Sequence, residues 1–145
     1  MSASSSPRRV PQRGDVYWID PNPVAGREMR DRHRFVVVTP LEINKLGVSI
    51  TVPVTSGGAF ARLKGLTVPL MGSDTTGVAV CNQARSFDIQ ARVLAGSACY
   101  IDTLDAATAD EIVNRLVSVL EHSRSGIPVI YDSKTKYSQK HSHKF

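Results

Sequence analysis

Val48-Ser49-Ile50-Thr51-Val52-Pro53-Val54-Thr55 alternates large apolar side chains with small or polar ones, then gives way to Ser56-Gly57-Gly58. A period of two puts Val48, Ile50, Val52 and Val54 on one face, the pattern of a strand with one side in a core. Pro53 has no N–H for a sheet ladder, which predicts an edge or a bulge. The same period recurs outward from this stretch. Leu66, Val68 and Leu70 alternate with Thr67 and Pro69, again at an edge or bulge, and Val16 and Trp18 alternate with Tyr17 and Ile19 after the turn Arg13-Gly14-Asp15. Phe35 to Val38 is continuously apolar, as in a strand covered on both faces. Gly77 to Cys81, Ala91 to Leu94 and, more weakly, Ala98 to Ile101 read as further strands. Short strands joined by Gly-rich turns predict a mainly β chain forming a small barrel.

One helix stands out. Ile112, Val113, Leu116, Val117 and Leu120 recur at three- and four-residue spacing, while Asp110, Glu111, Asn114 and Arg115 face away. Asp105 or Thr108 is the expected cap, with Asp110 and Glu111 in the first turn, where the helix dipole favours acids. The plain role for this helix is to close the barrel.

The chain has 145 residues, enough for one domain with a real core. Its net charge of +5 is unevenly placed. Arg8, Arg9 and Arg13, with Arg124, Lys134, Lys136, Lys140 and Lys144 against Asp132, put +7 in the two tails and leave −2 in the middle. Composition is therefore no evidence that the folded part binds nucleic acid; local clustering has to supply it. Residues 1–13 and 123–145 are read as flexible tails around a domain at 14–122, although Ile127, Val129, Ile130 and Tyr131 could dock. His141 and His143 belong to a solvated basic segment rather than a metal site. Cys81 and Cys99 lack CxxC spacing and nearby His, so both are expected as buried thiols. No apolar run is long enough to span a membrane, and no secretory leader is evident, which predicts a cytoplasmic protein.

Three segments can carry chemistry. Gly26-Arg27-Glu28-Met29-Arg30-Asp31-Arg32-His33-Arg34 joins two strands and holds four arginines against two acids. A solvated loop with local ion pairs is the plainer reading. Yet Glu28 and His33 can exchange protons, and Arg34 enters a strand whose backbone holds it fixed, so its guanidinium can clamp a phosphate. In the second segment, Thr55 falls on the face opposite Val52 and Val54, next to Ser56, two glycines, Phe60 and Arg62. Glycines admit an anion to backbone amides, and Phe60 beside Arg62 could stack a base; an ordinary turn with a packed Phe60 is the alternative. The third, Asn82-Gln83-Ala84-Arg85, offers carboxamides and a cation that could read base edges or equally satisfy loop backbone.

In order and spacing these segments resemble the MazF/PemK family of mRNA interferases, most closely its ChpB-type and Kid-type members, over about Arg13 to Leu120. The likeness rests on Arg13-Gly14-Asp15-Val16, Asp20-Pro21, Gly26-Arg27-Glu28, Arg34 before Val36-Val37-Val38-Thr39-Pro40, and Val52-Pro53-Val54-Thr55-Ser56-Gly57-Gly58. It continues through Phe60-Ala61-Arg62, Thr76-Gly77-Val78, Asn82-Gln83-Ala84-Arg85 and Asp88-Ile89-Gln90-Ala91-Arg92. The resemblance implies an SH3-like barrel with a C-terminal helix, a homodimer, an acidic antitoxin partner, and cleavage of single-stranded RNA at short sequences. It implies Arg34 and Thr55 as catalytic residues, with Glu28 an acid of the same loop. Phe35 stands where the family usually has Pro. The Kid branch uses His, Arg and Asp where this chain has Arg27, Val80 and Asn82, so that branch's acid/base roles do not transfer.

The expected enzyme is a metal-independent endoribonuclease without cofactors, in which RNA supplies its own 2′-hydroxyl nucleophile. Catalysis is assigned to Arg34, Thr55 and Glu28, and RNA binding to Arg27, His33, Ser56, Phe60, Arg62, Gln83 and Arg85. The rival from another class is a non-catalytic toxin on the same barrel, like the CcdB-type gyrase poisons. A barrel that binds RNA without cutting it is a third reading.

Overall fold

The computed structural model describes residues 9–56, 65–70 and 74–121. Gly57, Gly58, Phe60 and Arg62, residues 1–8, and the C-terminal segment with Ile127, Val129, Ile130, Tyr131, His141 and His143 lie outside the described residues.

Among the described residues, seven strands and three helices follow in the order β1 (Asp15–Ile19), β2 (His33–Val37), α1 (Leu41–Asn44), β3 (Ser49–Thr55), β4 (Thr67–Leu70), β5 (Gly77–Val80), β6 (Arg85–Phe87), α2 (Ile89–Leu94), β7 (Ala98–Thr103) and α3 (Ala106–Leu120). A 3-10 turn, Cys81–Gln83, separates β5 from β6. The sheet runs β4-β5-β3-β2-β1-β7, with β6 also on β3, and every pairing is antiparallel. This is the small barrel-like, mainly β architecture expected, with α3 at its C-terminal end.

The central strands are buried on both faces, as the run from Phe35 predicts. Val16, Val36 and Val52 stand side by side in register and join Val54, Val68, Leu104 and Ile112 in one core, against which α3 lays Val113, Leu116 and Val119. Tyr17, Phe35 and Val37 point the other way, into a second core with Ile19, Phe87, Ile89 and Ala98. Phe35 meets Phe87 edge-on, with ring centroids 5.1 Å apart.

Three expectations are corrected. β3 is the hub of the sheet, not an edge strand, and Pro53 is tolerated there for a local reason. Ile50 directs its backbone toward β2, accepting from Val38 N–H and donating to Thr39 Oγ1. By alternation Pro53 faces the opposite edge, where β5 covers only Val54 and Thr55 and β6 only Ser49 to Thr51. Its missing donor falls in the gap. Pro69, on β4, does lie at an edge.

Ala91 to Leu94 is helix, not strand. The Asp88 side chain caps it by accepting Ala91 N–H at 3.0 Å. Gly96, at φ +84°, closes it, its N–H bonded to Val93 C=O while Ser97 N–H reaches Arg92 C=O. Cap and stop outweigh the strand-like run of Ala91, Val93 and Leu94. Cys99 is exposed rather than buried, because it sits on the outward side of the edge strand β7; Cys81 is buried as expected.

Two details of the ends also differ from expectation. Asp105 is the cap of α3, accepting Thr108 N–H at 2.9 Å, which moves Asp110 and Glu111 out of the first turn; Leu120 is exposed. Residues 9–13 are held rather than loose. Arg9 pairs with the buried Asp15 at 2.9 Å, and Pro11 C=O accepts from the buried Asn44 amide at 2.8 Å. No described helix is long and apolar enough to cross a membrane.

Candidate active site

Arg34 and Thr55 are neighbours through the sheet. Arg34 lies opposite Trp18 of β1 and opposite Val54 of β3, one residue short of Thr55 at the strand's end. Both side chains are half-buried. The Arg34 guanidinium makes no hydrogen bond or ion pair among the described residues, so its donors are available to a ligand. Alternation sends Arg34 out on the Val36 side and Thr55 on the Phe35 side. A group gripped by both must therefore lie across the ends of β2 and β3, within reach of the long arginine stem.

Thr55 is held from behind. It pairs with Val78, and Gly77, at φ +113°, packs directly on its carbonyl. A Cβ at Gly77 would run into the Thr55 carbonyl oxygen, so only glycine lets β5 approach this closely. Ser56, next along, is exposed.

The loop between β1 and β2 leaves the sheet at Ile19, returns at His33 next to Arg34, and is fastened at both limbs. Arg92 donates to Asp20 C=O at 2.8 Å and Arg85 to Pro21 C=O at 3.1 Å, with Phe87 against both guanidiniums. Farther on, Gln83 donates to Arg27 C=O and accepts Met29 N–H, beside the buried Met29 side chain. Asn22 and Asp31 bridge the neck of the loop: Asp31 N–H donates to Asn22 Oδ1 at 3.3 Å, and the Asn22 amide to Asp31 Oδ1 at 3.4 Å. The peptide bond Asn22–Pro23 is cis.

The loop's functional candidates have unequal freedom. Arg27, Arg30 and Arg32 are exposed, and Arg32 lies 5.2 Å from the Trp18 ring. The Glu28 carboxylate is exposed but closes a local turn, accepting Ala25 N–H at 2.9 Å while Glu28 N–H donates to Ala25 C=O. His33, half-buried, opens β2 opposite Ile19. Gln83 and Arg85, expected to face RNA, are instead partly committed to loop backbone. The sequence does not single out as functional residues Trp18, Met29 or Arg92, which the structure places in or against the loop and beside Arg34. Only the strand period places Trp18 beside Arg34; nothing local marks the other two.

Burial pushes the Cys81 thiol up to about 12, and its Sγ faces Ile112 C=O, so it stays protonated and inert as a nucleophile. Among the described residues no three His, Cys, Asp or Glu side chains gather as metal ligands.

Comparison with known proteins points the same way as this geometry. The model of a family described as "PemK-like, MazF-like toxin of type II toxin-antitoxin system" matches residues 12–120. The chain is 34% identical over 112 residues to the endoribonuclease PemK of Escherichia coli, covering 75% of this chain and 81% of that protein. It is 33% identical over 113 residues to the endoribonuclease toxin ChpB of Escherichia coli K12, with 76% and 94% covered. Among solved structures, MazF of Deinococcus radiodurans superposes with a TM-score of 0.65 at 27% identity, covering 77% of this chain and 97% of that one. A MazE-MazF structure from the same organism gives 0.61 at 27% identity, with 79% and 99% covered.

Proposed function

Because the chain belongs to the PemK-like, MazF-like toxin family of type II toxin-antitoxin systems, we propose that it cuts single-stranded RNA by transesterification at the ends of β2 and β3. Its relatives are named endoribonucleases, and it is an enzyme of that kind. The observation that carries the site assignment is the half-buried guanidinium of Arg34, without a partner among the described residues, one register step from the Thr55 hydroxyl.

The chemistry asks little of the protein. The RNA 2′-hydroxyl attacks the adjacent phosphorus, the bond to the 5′-oxygen breaks, and two protons move. Arg34 stabilises the charge of the phosphorane and helps protonate the leaving oxygen, while Thr55 fixes a non-bridging oxygen. Glu28 or His33 takes the 2′-hydroxyl proton. Arg27, Ser56, Phe60, Arg62 and Arg85 bind the strand on either side. The products are a 2′,3′-cyclic phosphate and a 5′-hydroxyl, and neither a metal nor another cofactor takes part.

Incubation of pure protein with a defined RNA in EDTA tests this directly. Site-specific cuts with cyclic-phosphate ends are expected; intact RNA would favour the gyrase-poison alternative instead.

The proposed assembly is a cytoplasmic homodimer bound by an acidic antitoxin. The exposed apolar side chains of Ile43, Leu46, Val48 and Ile50 support an apolar contact between copies, and the exposed arginines of the loop support an acidic partner that folds over them. A MazF relative has been solved with MazE. Adding the cognate antitoxin should abolish cleavage; undiminished cutting in the complex would refute occlusion.

A further inference from the structure

We propose that Gln83 is a positioning residue that clasps the β1–β2 loop shut, an inference that rests on the nuclease reading above. Its one carboxamide meets the loop twice: Nε2 donates to Arg27 C=O at 3.2 Å, and Oε1 accepts Met29 N–H at 3.3 Å. Those two backbone groups flank Glu28. A single side chain thus brackets the loop's acid from both sides without touching the acid itself.

The clasp has a rigid base. Gln83 ends the 3-10 turn that begins at Cys81, which is buried in the first core with its N–H bonded to Leu66 C=O at 2.8 Å. The Met29 side chain is buried in turn, so apolar docking and the two polar bonds act on the same residue of the loop. The other limb is tied independently by Arg85 and Arg92 to Pro21 and Asp20. Releasing Gln83 would therefore free the middle of the loop, Arg27 to Met29, while its start stays attached.

The same geometry argues against the base-reading role that the sequence suggests for Gln83. A carboxamide reads a base edge through one donor and one acceptor placed together. Here that pair of groups already serves the protein's own backbone. The catalytic consequence is indirect: the loop re-enters the sheet at His33 and Arg34, so a loop that wanders carries Glu28 away from the scissile phosphate.

Two variants test this in the full-length protein. Gln83→Met keeps the side chain's length and removes both bonds; Gln83→Glu keeps the acceptor for Met29 N–H and loses the donor. In Gln83→Met, hydrogen exchange of the Met29 amide, followed by NMR, should quicken about tenfold, the loss of one hydrogen bond's protection, with the amides of β1 to β3 unchanged. On a defined single-stranded RNA in EDTA, kcat should fall about ten- to a hundredfold, with KM and the cleavage sites unchanged. Gln83→Glu should fall between Gln83→Met and the wild type in both readouts. Unchanged Met29 exchange in Gln83→Met overturns the clasp. So does a raised KM with altered cleavage sites at unchanged kcat, the signature of a base reader. If the wild-type protein cuts no RNA, the nuclease reading falls, and Met29 exchange alone then upholds or overturns the clasp.

Discussion

Arg34 is where a single side chain has most to lose. Removing one preorganised donor to a developing charge costs about 10²- to 10³-fold in turnover, so Arg34→Ala should lower kcat by that much. A loss of tenfold or less in the purified variant would take Arg34 out of the mechanism. Tyr17 gives a different test, in pH. Burial, and then the Asp15 carboxylate, push its phenol up to about 12, whereas an unfolded tyrosine ionises near 10. The folded state thus favours the neutral phenol. Its stabilisation is complete below pH 10 and is lost as pH rises from 10 to 12; Cys81, raised from 9.0 to about 12, adds the same sign from about pH 9. Urea midpoints measured across this range should fall steeply, and in Tyr17→Phe the part between pH 10 and 12 should flatten. Arg34 and Thr55 stand out in the sequence as candidates because a period of two locates strand ends, and family likeness does the rest. The bond between Gln83 and Met29 was not legible. It joins residues 54 positions apart, and no local pattern encodes such a meeting.

Elements, too, were readable where periodicity is strong and obscure where caps decide. β3 and α3 are where the sequence places them, although the alternation fails at the start of β3, where Val48 and Ile50 are exposed and Ser49 and Thr51 buried, and the short run Ala91-Arg92-Val93-Leu94 fits strand and helix equally. Only the Asp88 cap and the Gly96 stop separate the two. Pro53 misleads in the same way, since a proline signals an edge unless the sheet happens to leave that backbone position unpaired. The closest coupling between an element and the site is β5 against β3. Gly77→Ala puts a methyl group into the Thr55 carbonyl at a backbone angle that L-residues rarely adopt. It should destabilise the fold by about 3 kcal/mol, from strain and overpacking together, in chemical denaturation. Because the displaced group is Thr55, RNA cleavage should also fall under conditions where the variant remains folded. Full activity in folded Gly77→Ala would show that Thr55 does not need this support.

For the whole molecule, the telling join is between its ends. Asp15, fully buried, takes hydrogen bonds from Arg9, Gln12 N–H and Thr103 Oγ1, so one carboxylate links the N-terminal segment to the last strand. Arg9→Ala removes a charged partner from this group and should cost about 2 kcal/mol in a urea titration, with cleavage per folded molecule unchanged. A change below about 0.5 kcal/mol, the scatter of an ordinary surface substitution, would mean that the segment is merely resting there. The sequence places Arg9 in a loose tail, since nothing around the pair Arg8-Arg9 reveals a carboxylate buried six residues on. The pairing of β1 with β7 joins Asp15 to Thr103, so the first of the described strands waits for the last of them. Contacts this distant form late, and the side-chain hydrogen bonds that tie the β1–β2 loop to the rest of the chain come from Gln83, Arg85 and Arg92. A nascent chain that has emerged only as far as β5 carries Arg34 and Thr55 but lacks the residues that fasten the loop. A toxin assembled in this order gains its fastened loop only after residues 83 to 92 have left the ribosome.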